Sequence, residues 1–359
     1  MMDRIRVGVI YGGRSGEHEV SIASAAAVFR HLDASRYDAV PIRIEKDGRW
    51  ALPGEPPRLT SAAEVIDQAI AGRGGSTEMA RVEPVIFSLG LDVAFPVLHG
   101  PYGEDGTVQG LLELANIPYV GAGVLASSVG MDKAAMKLVF AARELPICEY
   151  EVFLRRDWQR DERDILHALV NRLGFPLFVK PANLGSSVGI SKARHAAELR
   201  AAIGLAAQYD RKIVVEAAVP GAREIEVAVL GNDTPEASVP GEIIPSGEFY
   251  DYQAKYLSAG SREVIPADLP QPVIEQVRSL AIAAFKAVDC AGMARVDFLL
   301  SHTGMLYVNE LNTIPGFTTI SMFSKMWAAS GVPYQALIDR LIALALERHA
   351  EKQQLRTSV

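Results

Sequence analysis

Only two cysteines occur in the 359 residues, Cys148 and Cys290, far apart and without CxxC spacing. That argues against a disulfide framework and rules out a zinc site made by cysteines alone, leaving two buried thiols in a reducing compartment as the expectation. No uninterrupted apolar run approaches the ~20 residues of a membrane-spanning helix. The apolar run after Met1-Met2-Asp3-Arg4 is too short for a signal-peptide core. Basic charge is also scarce. The formal net charge is −7 and no Lys/Arg-dense stretch compensates locally, so a duplex-binding surface is not expected. Together these absences describe a cytoplasmic protein that engages no nucleic acid and no membrane. A small anion stays compatible, because it needs only a few focused donors.

Several common signatures are missing or broken. GxxxxGK[ST] occurs nowhere, so there is no P-loop. Gly12-Gly13-Arg14-Ser15-Gly16 lacks the GxGxxG spacing of a dinucleotide fold, and His18-Glu19 begins an HExxH in which Ile22 replaces the second histidine. Gly185-Ser186-Ser187-Val188-Gly189 fits GxSxG. A nucleophile elbow, however, needs a strand and a helix joined by one sharp turn. Here the strand ends earlier, at Lys180, and Ile190 continues extended.

What is present is an ordinary globular composition, 49% apolar and 22% charged, over a length that suits two or three domains. Residues 6–11 read as a strand, 21–32 as an Ala-rich helix, 93–98 as a strand and 107–115 as a helix. This alternation argues for a parallel α/β sheet in the first third. Residues 53–75, rich in Pro and Gly, read as a surface excursion. After Val120-Gly121-Ala122-Gly123 come a strand at 175–180, a small-residue loop at 181–189, a helix at 196–208 and a strand at 212–216. Pro220-Gly221 marks a hinge; beyond it lie an alternating strand at 224–230 and an amphipathic helix at 334–349. The expected division is 1–122, 123–218 and 219–359.

Residues 294–300 and 305–311 both alternate around the turn Ser301-His302-Thr303-Gly304, which predicts a hairpin. If it is symmetric about the turn, Asp297 faces Val308 and Arg295 faces Glu310. Side-chain period 2 then gathers Arg295, Asp297, Glu310 and Asn312 on one face, with Phe298, Leu300, Met305, Tyr307 and Leu311 on the core face. Two carboxylates and a carboxamide are the hard oxygen ligands that Mg²⁺ takes, with phosphate oxygens completing the octahedron. A cross-strand Arg295–Glu310 salt bridge on a solvated face is the plainer alternative. The sequel Asn312-Thr313-Ile314-Pro315-Gly316-Phe317 favours a site, since Gly beside a polar strand end lets backbone N–H groups approach a ligand.

Lys180-Pro181-Ala182-Asn183-Leu184-Gly185-Ser186-Ser187-Val188-Gly189 follows a strand and offers hydroxyls and amides suited to phosphate. Lys180 could instead snorkel to water, and Lys133, at a helix start, could be an ordinary surface charge. Both are cations near loops, as stabilising a transferring phosphoryl group requires.

Taken in order, Gly12–Ser21, His99–Gly106, Lys180–Gly189, Tyr250-Asp251-Tyr252-Gln253-Ala254-Lys255-Tyr256, Arg295–Asp297 and Asn309–Thr318 resemble the D-alanine–D-alanine ligase family, from about residue 5 to about residue 345. The resemblance implies a three-domain ATP-grasp α/β fold: an N-terminal parallel α/β domain, then central and C-terminal α+β domains. It further implies ATP held between the last two, two Mg²⁺ (or Mn²⁺) ions and a homodimer. It implies that Glu17 holds the ammonium of a first D-alanine, with His99 near its carboxylate. Ser186 and Tyr256 would bond with Glu17 and tie a loop at about 245–261 over the site. Arg295 and the N–H of Gly316 would form the oxyanion hole, and Ser321 would bind the second D-alanine. Lys133, Lys180 and Lys255 would meet phosphates, with Ser186, Ser187 and Asn309 at the nucleotide. Glu216, Val219 and Glu224 would line the adenine and ribose pocket, and Asp297, Glu310 and Asn312 would hold the metals. Tyr256 favours an amine over a D-lactate acceptor. A non-catalytic ATP-binding relic would tolerate loss of Arg295 or a metal carboxylate, and none is lost.

Overall fold

The computed structural model describes residues 4–59, 61, 63–65, 67, 85–245 and 261–356, arranged around three sheets. In the first, strand β1 (Ile5–Gly12) lies parallel to both β2 (Tyr37–Ile44) and β4 (Val93–Pro96), with the short β3 (Trp50–Ala51) antiparallel at the edge. Helices α1 (His18–His31) and α2 (Thr107–Leu114) belong to this unit. Helix α1 begins three residues earlier than the Ala-rich pattern predicts. Glu17 is its N-cap, yet it makes no side-chain capping bond, because its carboxylate is engaged elsewhere. Part of the 53–75 excursion lies outside the described residues.

Helices α3 (Val124–Met131) and α4 (Lys133–Ala142) lead into the second sheet. Its strands β5 (Tyr150–Leu154), β6 (Leu177–Pro181), β7 (Ser191–Ala193) and β8 (Lys212–Ala217) run in the order β5-β8-β6-β7, all antiparallel. Helices α5 (Arg155–Leu173) and α6 (Ala196–Tyr209) cover one face, where Trp158, Leu169, Leu199 and Ile203 pack on Leu177, Val179, Ile213 and Val215. Period 2 then sends Phe178, Lys180 and Glu216 to the opposite face, toward the third sheet.

The third sheet consists of β9 (Arg223–Gly231), β10 (Glu236–Ala237), β11 (Gly241–Ile244), β12 (Arg262–Val264), β13 (Gly292–Leu300) and β14 (Leu306–Asn312), in the order β12-β11-β9-β13-β14, with β10 also on β9. Its central strands are buried on both faces. Ile225, Val227, Ala294 and Val296 pack on one side with α7 (Gln271–Ala287). Ala228, Leu230 and Met293 join a second core, shared with Val7, Val9 and Phe95 of the first sheet and with α8 (Met322–Ala329) and α9 (Tyr334–Gln353). The first and third units are thus continuous through apolar packing. Arg348 reinforces this by donating to Gly121 O (2.5 Å) and Tyr119 O (3.1 Å). No described helix is long and apolar enough to cross a membrane. Both cysteines are buried and free.

The β13–β14 hairpin forms, but in a different register from the symmetric one. Asp297 pairs with Glu310 rather than Val308, and Arg295 with Asn312 rather than Glu310. Two causes combine. Ser301 N–H donates to Met305 O, so the turn holds three residues, 302–304, rather than four, and a bulge between Asp297 and Phe298 makes Asn309 an extra residue. Met305 is accordingly 53% exposed rather than core, and Tyr307 is half-buried. Leu306, Val308 and Leu311 occupy the apolar face instead.

Candidate active site

Three cavities line up between the sheets. The largest, about 200 Å³, has Glu17, His99, Glu104, Arg295, Gly316 and Ser321 in its walls. A gap of about 30 Å³ follows, bounded by Lys133, Gly185, Ser186, Ser187, Glu310 and Asn312. The third, about 120 Å³, sets the apolar Phe178, Phe298 and Leu299 beside Lys180, Glu216, Val219 and Glu224. Glu310 borders all three, so one carboxylate marks the path from the apolar slot to the polar chamber.

The loop after β6 reaches across to the first unit, where Ser186 donates to the Glu17 carboxylate. Glycine makes that approach possible: a Cβ on Gly185 would stand 2.8 Å from Glu17 Oε2. Ser186 (φ 49°) and Ser187 (φ 59°) both hold left-handed backbone. For non-glycine residues that strain costs about 1 kcal/mol or more each, and it is characteristic of functional loops.

Arg295 lies deep among acids. Its fork donates to both oxygens of Asp297 at 2.7 Å, and Nε lies 3.3 Å from Glu226. Burial alone would lower the guanidinium's affinity for its proton, but Asp297 and Glu226 raise it well above the ordinary value. Asn312 donates its amide to Asp297 Oδ2 at 3.0 Å. On the facing wall, Lys133 Nζ donates to Leu184 O at 2.7 Å and lies 3.5 Å from Glu310. Lys180 Nζ donates to Glu216 (3.0 Å) and to Asn309 Oδ1 (3.2 Å). Burial opposes the charge on Lys180, yet Glu216 and Glu310 hold its pKa raised.

Gly316 sits in a braced loop. Phe317 packs against Phe95, Phe323 and Tyr334, with centroids 5.3–5.9 Å apart, and Tyr334 Oη donates to its carbonyl at 2.5 Å. A Cβ on Gly316 would lie 3.1 Å from Ser321 Oγ, which itself accepts from Thr318 N–H at 3.0 Å. The imidazole of His99 is buried against this loop, and that burial pushes its pKa down.

The structure therefore brings together Glu17, His99, Ser186, Arg295, Gly316 and Ser321 around one chamber, and Lys133, Lys180, Ser187, Glu216, Val219, Glu224, Asn309 and Glu310 around the gap and slot. Tyr250, Tyr252, Lys255 and Tyr256 lie outside the described residues. Among the described residues no three His, Cys, Asp or Glu side chains gather closely enough to hold a metal. Asp297 and Glu310 face each other across the strands with Asn312 beside them, a sparse oxygen set. Such a set fits a hard divalent cation that keeps water and phosphate oxygens in its shell.

Three further residues escape sequence reasoning. Glu104, five positions after His99, accepts from Gly100 N–H at 2.8 Å, and burial together with Glu17 pushes its carboxyl up to about 8. Glu226 stands opposite Asp297 on β9, and its signal was the alternation Glu224, Glu226. Lys137, one helical turn after Lys133 and 1% exposed, lies 3.3 Å from Glu216. With Lys180 it keeps that buried carboxylate's pKa lowered although burial pushes the other way. Nothing short of burial distinguishes it from a surface lysine.

Comparison with known proteins agrees with this geometry. Residues 6–122 match the family model described as D-ala D-ala ligase N-terminus, and residues 139–343 that described as D-ala D-ala ligase C-terminus. The D-alanine–D-alanine ligase of Solibacter usitatus is 52% identical, over 98% of this chain and 98% of that one. That of Geobacillus kaustophilus is 50% identical over 98% and 97%. Among solved structures, the D-alanine–D-alanine ligase from Coxiella burnetii superposes with a TM-score of 0.82 at 38% identity, covering 98% of each chain. The VanG D-Ala:D-Ser ligase from Enterococcus faecalis gives 0.82 at 33%, over 96% of this chain and all of that one. The chain belongs to the D-alanine–D-alanine ligase family, with its three-domain ATP-grasp fold.

Proposed function

We propose that this chain joins two D-alanine molecules at the expense of ATP, supplying a dipeptide for peptidoglycan synthesis. The observation that carries the reading is the shared wall: Glu310 borders a slot that pairs apolar side chains with Lys180, a gap lined by Lys133, and a chamber holding Glu17, Arg295 and Gly316. A carboxylate in the chamber can then meet a phosphoryl group in the gap.

On this reading the carboxylate of the first D-alanine attacks the γ-phosphorus, giving an acyl phosphate and ADP. The amine of the second attacks the acyl carbon, and phosphate leaves. Two steps are needed because a carboxylate is a poor electrophile until one oxygen becomes a leaving group. Glu17, held by Ser186, pairs with the first ammonium, and His99 borders the same subsite. Lys133 and Lys180 neutralise phosphate charge as it shifts toward ADP. Arg295 and the Gly316 N–H stabilise the tetrahedral oxyanion. Ser321 takes the carboxylate of the second substrate. Glu216, Val219 and Glu224 line the nucleoside end, with Ser187 and Asn309 toward the phosphates. By the family resemblance, Tyr256 would bond with Glu17 and Lys255 would meet the phosphates, and their cover would exclude water from the acyl phosphate. Asp297, Glu310 and Asn312 would hold two Mg²⁺ or Mn²⁺ ions; bound divalent cations offset the charge of the phosphate oxygens. The division at 122/123 and 218/219, a homodimer and a cytoplasmic location complete the proposal.

The test is phosphate release with ATP and D-alanine, L-alanine, D-lactate or D-serine, singly and in pairs. One phosphate per D-alanyl-D-alanine is expected. No release with D-alanine would overturn the reading, and faster turnover of D-alanine paired with D-lactate or D-serine would replace the acceptor.

A further inference from the structure

Helix α1 carries two serines, Ser21 and Ser24, that are wholly buried although they face strand ends rather than solvent. A buried hydroxyl left unbonded costs about 1–3 kcal/mol, so each must have a task. Ser21 accepts from Gly12 N–H (2.8 Å) and donates to Val97 O (2.6 Å), joining the ends of β1 and β4. Ser24 serves a different pair. Its Oγ lies 3.2 Å from His99 Nε2 and accepts from Phe317 N–H at 3.4 Å.

The roles of the imidazole follow from its partners. His99 Nδ1 lies 3.1 Å from Ile314 O, and a carbonyl only accepts, so Nδ1 carries the proton. In the neutral ring Nε2 is then the acceptor, and the Ser24 hydroxyl donates to it. Both ring nitrogens are spent inside the protein. Ser15 meanwhile donates to His99 O at 2.6 Å and fixes the backbone under the ring.

We propose that Ser24 and His99 form a positioning clamp for the loop Ile314-Pro315-Gly316-Phe317: His99 grips the carbonyl at one end, Ser24 grips the N–H at the other, and the Gly316 N–H is aimed between them. The inference rests on the ligase reading, since it assigns the clamp to the oxyanion step. Ser24 is a positioning residue and touches no substrate. His99 works on the loop rather than as a proton-transfer group, because neither nitrogen is left for that task. Proline at 315 has no N–H of its own to anchor, so beside the Tyr334 bond and the packing of Phe317 the loop is held by the Ile314 carbonyl and the Phe317 N–H.

A loosened loop slows capture of the acyl phosphate by the amine without affecting its formation. Water then competes, and phosphate released per dipeptide rises above one. Ser24→Ala removes a single oxygen from a packed site. Expected are a fall in dipeptide kcat of roughly 10-fold or more, below the ~10²–10³-fold of deleting an oxyanion donor, and a KM for ATP within about twofold. Expected too are a phosphate-to-dipeptide ratio clearly above one and a thermal midpoint near that of the parent. Ser24→Cys, isosteric but a weak donor, should show the same uncoupling if the alanine variant unfolds. A ratio that stays at one with kcat intact, in either folded variant, overturns the clamp. Parent protein that makes no dipeptide overturns the ligase reading itself, and the clamp with it.

Discussion

A single methyl group at Gly185 should separate the grip on the first substrate from everything else the protein does. The backbone there is not left-handed, so alanine carries no conformational penalty, but its Cβ would stand 2.8 Å from Glu17 Oε2 where ordinary contact begins at 3.4 Å. The carboxylate must therefore retreat by about 0.6 Å. Ser186 bonds the other oxygen, Oε1, and keeps that bond, so what is lost is the alignment of the displaced Oε2 with the ammonium of the first substrate. Hydrogen bonds to charged groups contribute about 1.5–3 kcal/mol. At about 1.4 kcal/mol per decade that is roughly a 10- to 150-fold rise in the KM for the first D-alanine. The flexible end of Glu17 absorbs the clash, so the thermal midpoint should move by less than about 2 °C, as for a change under 1 kcal/mol. ADP release measured against D-alanine at saturating ATP, and against ATP at saturating D-alanine, gives the two constants. An unchanged D-alanine KM in a folded Gly185→Ala variant would refute the claim that the Glu17 carboxylate, as the Gly185 loop places it, grips the first substrate.

Other perturbations probe the remaining walls. Arg295→Lys keeps a cation among Asp297, Glu226 and Glu310 but loses the fork; turnover should fall about 10²-fold with ATP affinity little changed, and near-parental turnover would remove Arg295 from the oxyanion role. Asp297→Asn or Glu310→Gln should sharply raise the Mg²⁺ concentration needed for half-maximal activity, and an unshifted Mg²⁺ titration would take the hairpin out of metal binding. Glu104 keeps its proton to about pH 8, whereas an unfolded carboxyl releases it near 4.5. The folded state therefore binds more protons across that window, and stability falls as pH rises through it. Glu104→Gln should abolish this fall, whose slope is on the order of 1.4 kcal/mol for each pH step of one inside the window; parallel urea-unfolding profiles for both proteins from about pH 5 to 8.5 would contradict it.

How much of the molecule is legible in its sequence depends on the distance between partners. Helices at 196–208 and 334–349 and the strands at 6–11 and 212–216 follow from periodicity, because local patterning decides which face is apolar. Glu17 and Ser186 are 169 positions apart, and no spacing rule links them; only the family resemblance put them in one chamber. Lys137 was invisible for another reason. Its charge is the signature of a surface helix, and only packing reveals that it is sealed beside Glu216.

The hairpin shows most clearly where regularity misleads. Period 2 correctly put Arg295 and Asp297 on one face because β13 is regular, and it failed on β14 at Asn309-Glu310, two polar residues in succession between Val308 and Leu311. A strictly alternating strand could turn only one of the two toward the cleft. The bulge turns both: Asn309 reaches Lys180 and Glu310 reaches Lys133, the two cations of the opposite wall. An extra residue forfeits a ladder hydrogen bond, a net loss of about 0.5–1.5 kcal/mol. In exchange, one strand serves the slot, the gap and the chamber at once. A doubled polar pair inside an alternating apolar strand is thus better read as a bulge beside a site than as noise in the pattern.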